Sequence, residues 1–507
     1  MQKEIEACLR PHQIEPKRDL LAALRRYRSA VDFSDTGTGK TYVACAVAAE
    51  LELPTLIVVP KIAITAWHRA AEVFGQKFSV INYEKLRTGR TPYGTWSNPP
   101  PAGEDAEEEE VFICQCCQQK VSMDPALYRP CYCHAAGFHC LTRKKKRWDY
   151  GNFTFNSGVG AVIFDEVHRC NGLRSLNAEL LIGAKRKRIV TLGLSATAAC
   201  NPLQMRALGY SLDLHTLTPA GGLGFYDWSR RYGCRRNEHF QGFKWMLGEA
   251  AQRETMRTIR AKIIPSRGVR VRCEDIPGFP KCDITAELYD LDENNEIEKL
   301  YADMATALAL VDQAASRDVN AELALTKLLR ARQRVELLKV PIAVELHNDY
   351  LAKGYSVAVF CNFAGTISEL SARLGCKAII DGSAAGVRDR QKHIDEYQCN
   401  AIRTILANSD AGGISVSLQD LRGDHPRVGI VFPNFSAVSM RQVFGRLPRD
   451  GGKSPCHYRV IFAANSPEVG MARSLRAKSN NLDSLNDADL MPENFKLRGF
   501  TGTHTII

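Results

Sequence analysis

Ser34-Asp35-Thr36-Gly37-Thr38-Gly39-Lys40-Thr41 decides how this chain is read. The apolar Ala30-Val31-Asp32-Phe33 leads into it, and the helix-like Tyr42-Val43-Ala44-Cys45-Ala46-Val47-Ala48-Ala49 follows. Strand, glycine turn, Lys-Thr and helix, in that order, lay out a phosphate-binding loop. Thr36, Gly37, Thr38 and Gly39 would wrap backbone N–H groups round phosphate oxygens, and the helix N-terminus adds a favourable dipole. Lys40 would reach the β- and γ-phosphates of ATP, and the Thr41 hydroxyl would hold Mg²⁺. The strict pattern has glycine at position 34, where this chain has serine.

Working outward, Thr55-Leu56-Ile57-Val58-Val59-Pro60 and Gly160-Ala161-Val162-Ile163-Phe164 are short continuous apolar runs, as buried parallel strands require. Phe78 to Tyr83 and Ile189 to Leu194 read as further strands. With helices between them they predict a parallel α/β sheet. The 160–164 run ends in Asp165-Glu166-Val167-His168. A carboxylate at a strand end beside a phosphate loop can hold the Mg²⁺ shell, and the next can orient and deprotonate the attacking water. Ser195-Ala196-Thr197 closes the next strand, either capping it or coupling the nucleotide site to another surface. Upstream, Gln13 could read an adenine edge with its amide, or simply cap its helix.

The chain has 507 residues, 45% of them hydrophobic and 24% charged, with room for roughly two to four domains. No apolar run is long enough to span a membrane. The opening Met1-Gln2-Lys3-Glu4-Ile5-Glu6 lacks the basic-then-apolar shape of a secretory signal. A net charge of +11 suits a polyanionic partner. Six of the 17 cysteines fall between Cys114 and Cys140, which favours a reducing compartment, cytoplasmic or nuclear, and a local metal site over a disulfide framework. This cluster sits in an insert over residues 95–150 whose start, Pro99 to Glu110, reads as a flexible acidic linker. Cys114, Cys117, Cys131 and His134 have the spacing of a tetrahedral Zn²⁺ site, with Cys116, Cys133, His139 and Cys140 as alternative ligands. The other reading is a loop of reduced thiols. The basic run Arg143 to Arg147 would be a solvated face or a phosphate grip, and the insert could equally receive a protein partner.

The order Gly-Lys-Thr, Asp-Glu-x-His, Ser-Ala-Thr resembles the superfamily-2 helicases and translocases. Leu9-Arg10-Pro11-His12-Gln13, the 56–60 strand with Trp67, Asp165 to Asn171 and Asn201-Pro202-Leu203 are similar to the Swi/Snf-type DNA-dependent ATPases. That branch carries Thr-Gly-Thr-Pro where this chain has Ser195-Ala196-Thr197-Ala198. Tyr226 to Tyr232 and Ile264 to Pro277 resemble its segment joining two lobes. Strands at 356–363, 378–382, 404–407 and 428–432 open a second α/β unit. Ser409-Asp410-Ala411-Gly412-Gly413 looks like helicase motif V, and Gln442 to Arg449 like motif VI. The resemblance implies two tandem RecA-like lobes: 1–265, broken by the insert; a connector with helices, 266–350; a second lobe, 351–477; and an extension, 478–507. It implies that Gln442 contacts the nucleotide site and that Arg446 and Arg449 are arginine fingers. The function expected is ATP-driven movement on nucleic acid by a monomer, DNA favoured over RNA. A strand-separating DNA or RNA helicase is the alternative, and a zinc-containing scaffold with a vestigial ATPase a minor one. A compact ATPase with a private insert would suit a phage or large virus.

Overall fold

The computed structural model describes residues 2–99, 109–114, 120–121, 141–146, 149–173, 175–236, 243–289, 296–297, 299–300, 302–304, 319–381, 384–409, 416–434, 436–464, 468 and 495–498. Two parallel sheets dominate it. The first is built from β1 (Ser29–Asp32), β2 (Thr55–Val59), β3 (Ser79–Asn82), β4 (Ala161–Asp165), β5 (Val190–Leu194) and β6 (Gly268–Val269), in the order β6-β1-β5-β4-β2-β3. The apolar runs are continuous because both faces are covered. Within β2, Leu56 and Val58 enter one core while Ile57 and Val59 enter the other. Val162 and Phe164 divide in the same way from Ala161 and Ile163 in β4. Helices Pro11–Tyr27 and Lys40–Leu51 cover the second of these faces, and Leu176–Arg186 the first.

The second sheet holds β7 (Cys282–Tyr289), β8 (Ser356–Cys361), β9 (Ile379–Ile380), β10 (Thr404–Asn408), β11 (Arg427–Val431), β12 (Cys456–Ala463) and β13 (Phe495–Arg498), ordered β9-β10-β8-β11-β12-β7-β13 and all parallel. Tandem RecA-like lobes are therefore the architecture. The expected connector contributes to both sheets: β6 closes the first, β7 lies inside the second, and the crossing between them falls at 270–281. Helix Val319–Leu338 lies in that connector, where helices were expected.

The insert leaves the first lobe through a two-stranded stem, Gly94–Trp96 against Phe153–Phe155, whose Trp96, Phe153 and Phe155 are buried in the core. The acidic run expected as linker is in part a strand: Glu109–Cys114 pairs with Leu141–Lys146, Glu109 opposite Lys146 and Glu110 opposite Lys145. Opposite charges in cross-strand register favour such pairing, which a composition argument on either run alone does not reveal. Cys114 ends that strand. Cys116, Cys117, Cys131, Cys133, His134, His139 and Cys140 lie outside the described residues, as do Asp410 to Gly413. Among the described residues no cluster of three or more His, Cys, Asp or Glu could hold a metal, and no helix is long and apolar enough to cross a membrane.

Candidate active site

β1 delivers the phosphate loop and the helix Lys40–Leu51 leaves it. Gly37 and Gly39 have φ of 91° and 88°, the left-handed region glycine enters without a Cβ penalty. Each is also approached too closely for a side chain. A Cβ on Gly37 would lie 2.9 Å from the Pro448 carbonyl, and one on Gly39 2.1 Å from Gln13 Nε2. Gln13 is thus brought to the loop but is engaged with backbone: Nε2 donates to Thr38 O at 3.0 Å, and Oε1 accepts from Arg10 N at 3.0 Å. Lys40 Nζ donates to the carbonyls of Ser34 and Asp35 at 2.8 and 2.9 Å. Burial pushes its pKa down, opposed by Asp32, Glu166 and Asp35. Thr41 sits in the first helical turn beside it.

Serine at position 34 now has a physical account. Its Oγ accepts from Val271 N at 2.9 Å, and the Asp35 N–H donates to Val271 O at 3.0 Å. Asp35 Oδ2 accepts from Cys273 N at 3.0 Å, and Oδ1 pairs with Arg270 at 2.9 Å, the two side chains only 6% and 3% exposed. The chain leaving the first lobe is therefore hydrogen-bonded along the phosphate loop. Sequence reading missed this strap; the departure from glycine at 34 was its one visible signal.

Asp165 stands at the end of β4, fully inside the cleft. Trp67 Nε1 donates to its Oδ2 at 2.8 Å, the Glu166 N–H to its Oδ1 at 3.0 Å, and the Tyr83 hydroxyl to its backbone carbonyl at 2.7 Å. Burial, then the charge of Glu166, raise its pKa to about 6 despite these donors. Glu166 goes the other way. Burial alone would raise it, but His168, Lys40 and Arg446 hold it at about 2. Glu166 also has φ of 51°, a left-handed conformation that a non-glycine residue keeps only when its surroundings impose it. The sequence placed Trp67 in a strand-following motif but gave no sign of its bond to Asp165.

His168 joins the two lobes. Its Nδ1 lies 3.3 Å from Glu166 Oε2 and 3.1 Å from Ser195 Oγ, with Thr197 Oγ1 at 3.4 Å. Its Nε2 faces Gln442 Nε2 of the second lobe at 3.3 Å. Gln442 thus meets the Asp-Glu-x-His segment. Arg446 and Arg449 each donate to the Val416 carbonyl, at 3.2 and 3.1 Å, and Arg449 Nε is buried with no acceptor. Burial lowers both guanidinium pKa values, that of Arg446 to about 9. Around them the lobes touch closely. A Cβ on Gly445 would lie 1.8 Å from Thr36 Oγ1, Asp450 N donates to Gly37 O at 3.1 Å, and Arg10 pairs with Asp450. One cleft therefore collects Lys40, Thr41, Asp165 and Glu166 from one lobe and Arg446 and Arg449 from the other. Hard carboxylate and hydroxyl oxygens suit Mg²⁺, and buried cations, with Arg449 Nε lacking an acceptor, suit a triphosphate.

Residues 6–199 match the family described as Type III restriction enzyme, res subunit. Over 508 aligned residues the chain is 30% identical to the putative ATP-dependent RNA helicase L364 of Acanthamoeba polyphaga mimivirus, covering 97% of this chain and 86% of that one. The chain belongs to the superfamily-2 helicases. It is accordingly a nucleic-acid-dependent ATPase. S. cerevisiae Dbp5 bound to RNA and ADP BeF3 aligns with this helicase at a TM-score of 0.42 and 7% identity, over 93% of this chain and 92% of that one. A substituted form of the same yeast protein aligns at 0.42 and 8%.

Proposed function

We propose that this helicase separates strands of RNA, hydrolysing ATP in the cleft between its lobes. The observation that carries the RNA reading is relatedness along nearly the whole chain to a protein described as an RNA helicase. In this reading Lys40 would contact the β- and γ-phosphates, while Thr41 and Asp165 would hold Mg²⁺. Bound Mg²⁺ would offset charge on the phosphate oxygens. Glu166, ionised at neutral pH, orients the attacking water and takes its proton. Arg446 and Arg449 stabilise charge developing on the γ-phosphate, and they do so only when the lobes are shut, so turnover follows closure. The His168 link to Gln442 and to Ser195 and Thr197 supports that coupling.

A second reading, movement along duplex DNA, draws on the restriction-enzyme description of the family and on the Asp165 to Asn171 segment. Steady-state ATPase rates with single-stranded RNA, single-stranded DNA and duplex DNA, beside strand displacement on RNA and DNA duplexes, decide between them. Lys40→Ala is the inactive control. Stimulation by duplex DNA without RNA displacement would overturn the RNA reading. Zinc in the insert is part of the same proposal, and metal analysis of the intact chain before and after Cys114→Ser tests it.

A further inference from the structure

Residues 225–262 have no part in the ATP cleft. They fold as helix Phe225–Arg231, an antiparallel hairpin of Cys234–Arg236 with Phe243–Trp245, and helix Glu249–Ala261. The segment carries nine Lys and Arg against four Asp and Glu, an excess of five in a chain of net charge +11. Arg231, Arg235, Arg236 and Lys244 are exposed and have no ion-pair partner among the described residues. The register sets Arg235 directly opposite Lys244. Like charges facing each other across a ladder weaken it, so the hairpin bears a cost that a polyanion would relieve.

The rings lie on the other face of the ladder, where Phe243 pairs with Arg236 and alternates with Lys244 and Arg235. Tyr226 stacks on Phe243 with centroids 4.6 Å apart and planes 29° apart, and the Arg230 guanidinium lies 5.7 Å from the Phe243 ring centre. Tyr226 is 37% exposed and Met246 60% exposed. Cations for phosphates beside a ring face for unpaired bases is how single strands are held without sequence preference.

We propose that this hairpin and the helix before it form a contact site for single-stranded nucleic acid, with a base stacked on Tyr226 and a phosphate on Arg236 at one face of the ladder and further phosphates gripped by Arg235 and Lys244 at the other. The site can reach the chemistry mechanically. Phe243–Trp245 packs against Pro202–Met205, the turn shortly after Ser195 and Thr197, which bond His168. This inference rests on the helicase assignment and not on the choice of RNA.

Fluorescence anisotropy tests it on the full chain, with a labelled oligouridylate, an oligothymidylate of equal length and a blunt duplex, each over a salt series. The triple variant R235A, R236A, K244A is expected to lower the slope of log K against log salt by about 2, three phosphate contacts at about 0.7 each. Tyr226→Ala is expected to weaken single-strand binding by about 5- to 100-fold and duplex binding little. The conservative triple R235K, R236K, K244R should bind as the parent does, which separates lost charge from lost fold. Unchanged slope and affinity in the alanine variants would overturn the proposal. So would equal losses on duplex and single strand for Tyr226→Ala. Parallel losses on RNA and DNA would support the site even where displacement assays reject the RNA reading.

Discussion

Trp67→Phe isolates one hydrogen bond in the cleft. Trp67 is 1% exposed and its Nε1 lies 2.8 Å from Asp165 Oδ2. Phenylalanine keeps most of the ring packing and removes the donor. A hydrogen bond to a buried charged group contributes about 1.5–3 kcal/mol, so its loss shifts the ionised carboxylate by roughly one to two pKa units. Asp165 already titrates near 6, raised chiefly by burial. In the parent the carboxylate is mostly ionised at pH 7, and its capacity to hold Mg²⁺ falls as pH drops through about 6. In the variant that loss should begin above pH 7. ATPase rates measured against Mg²⁺ at pH 7 should therefore show a half-saturating concentration raised about 2- to 10-fold, and the gap should narrow at pH 9, where the carboxylate is ionised in both proteins. A variant that melts earlier but keeps the parent's Mg²⁺ curve at pH 7 would refute the reasoning and leave Trp67 as packing alone.

Glu166→Gln should retain binding of a fluorescent ATP analogue while single-turnover hydrolysis falls about 100-fold or more, since the amide cannot take the proton of water; hydrolysis at the parent rate would remove Glu166 from that role. Asp35→Asn leaves Arg270 buried beside a neutral group and should cost about 3–5 kcal/mol in urea unfolding, whereas the paired replacement D35L, R270M should recover much of it. Gly445→Ala sets a methyl where Thr36 Oγ1 already stands, 1.8 Å from the ideal Cβ. It should lower nucleic-acid-stimulated ATPase while leaving analogue binding to the first lobe intact, as a titration of both quantities would reveal.

The elements that chemistry marks were legible in the sequence. Observed β2, β4, β5 and β8 match apolar runs expected as strands because such runs are buried on both faces and ended by distinctive residues. The elements that escaped have no such mark. β6 is two residues long, and β7 alternates apolar with polar residues, as in Asp283-Ile284-Thr285-Ala286-Glu287. The site divides in the same way. Lys40, Asp165 and Glu166 were named from spacing and Arg449 from the family resemblance, and one cleft collects them. Trp67 on Asp165 and Arg270 on Asp35 are pairings across 98 and 235 positions, which no local pattern encodes. Gln13 and Gln442 were placed near the right neighbours, but a side-chain amide can face either backbone or ligand, and only coordinates distinguish the two.

The bonds from Val271 and Cys273 to Ser34 and Asp35 bear on how the molecule can be taken apart. A fragment cut at 265, where the motif pattern suggests a boundary, would lose β6 and strip partners from four consecutive positions of the nucleotide loop and its approach, Phe33 to Thr36. A fragment carried through to about residue 277 would keep them. The smallest autonomous nucleotide-binding piece of this chain is thus defined by the strap rather than by the last recognisable motif, and a chimera that exchanges second lobes must take its junction downstream of Cys273.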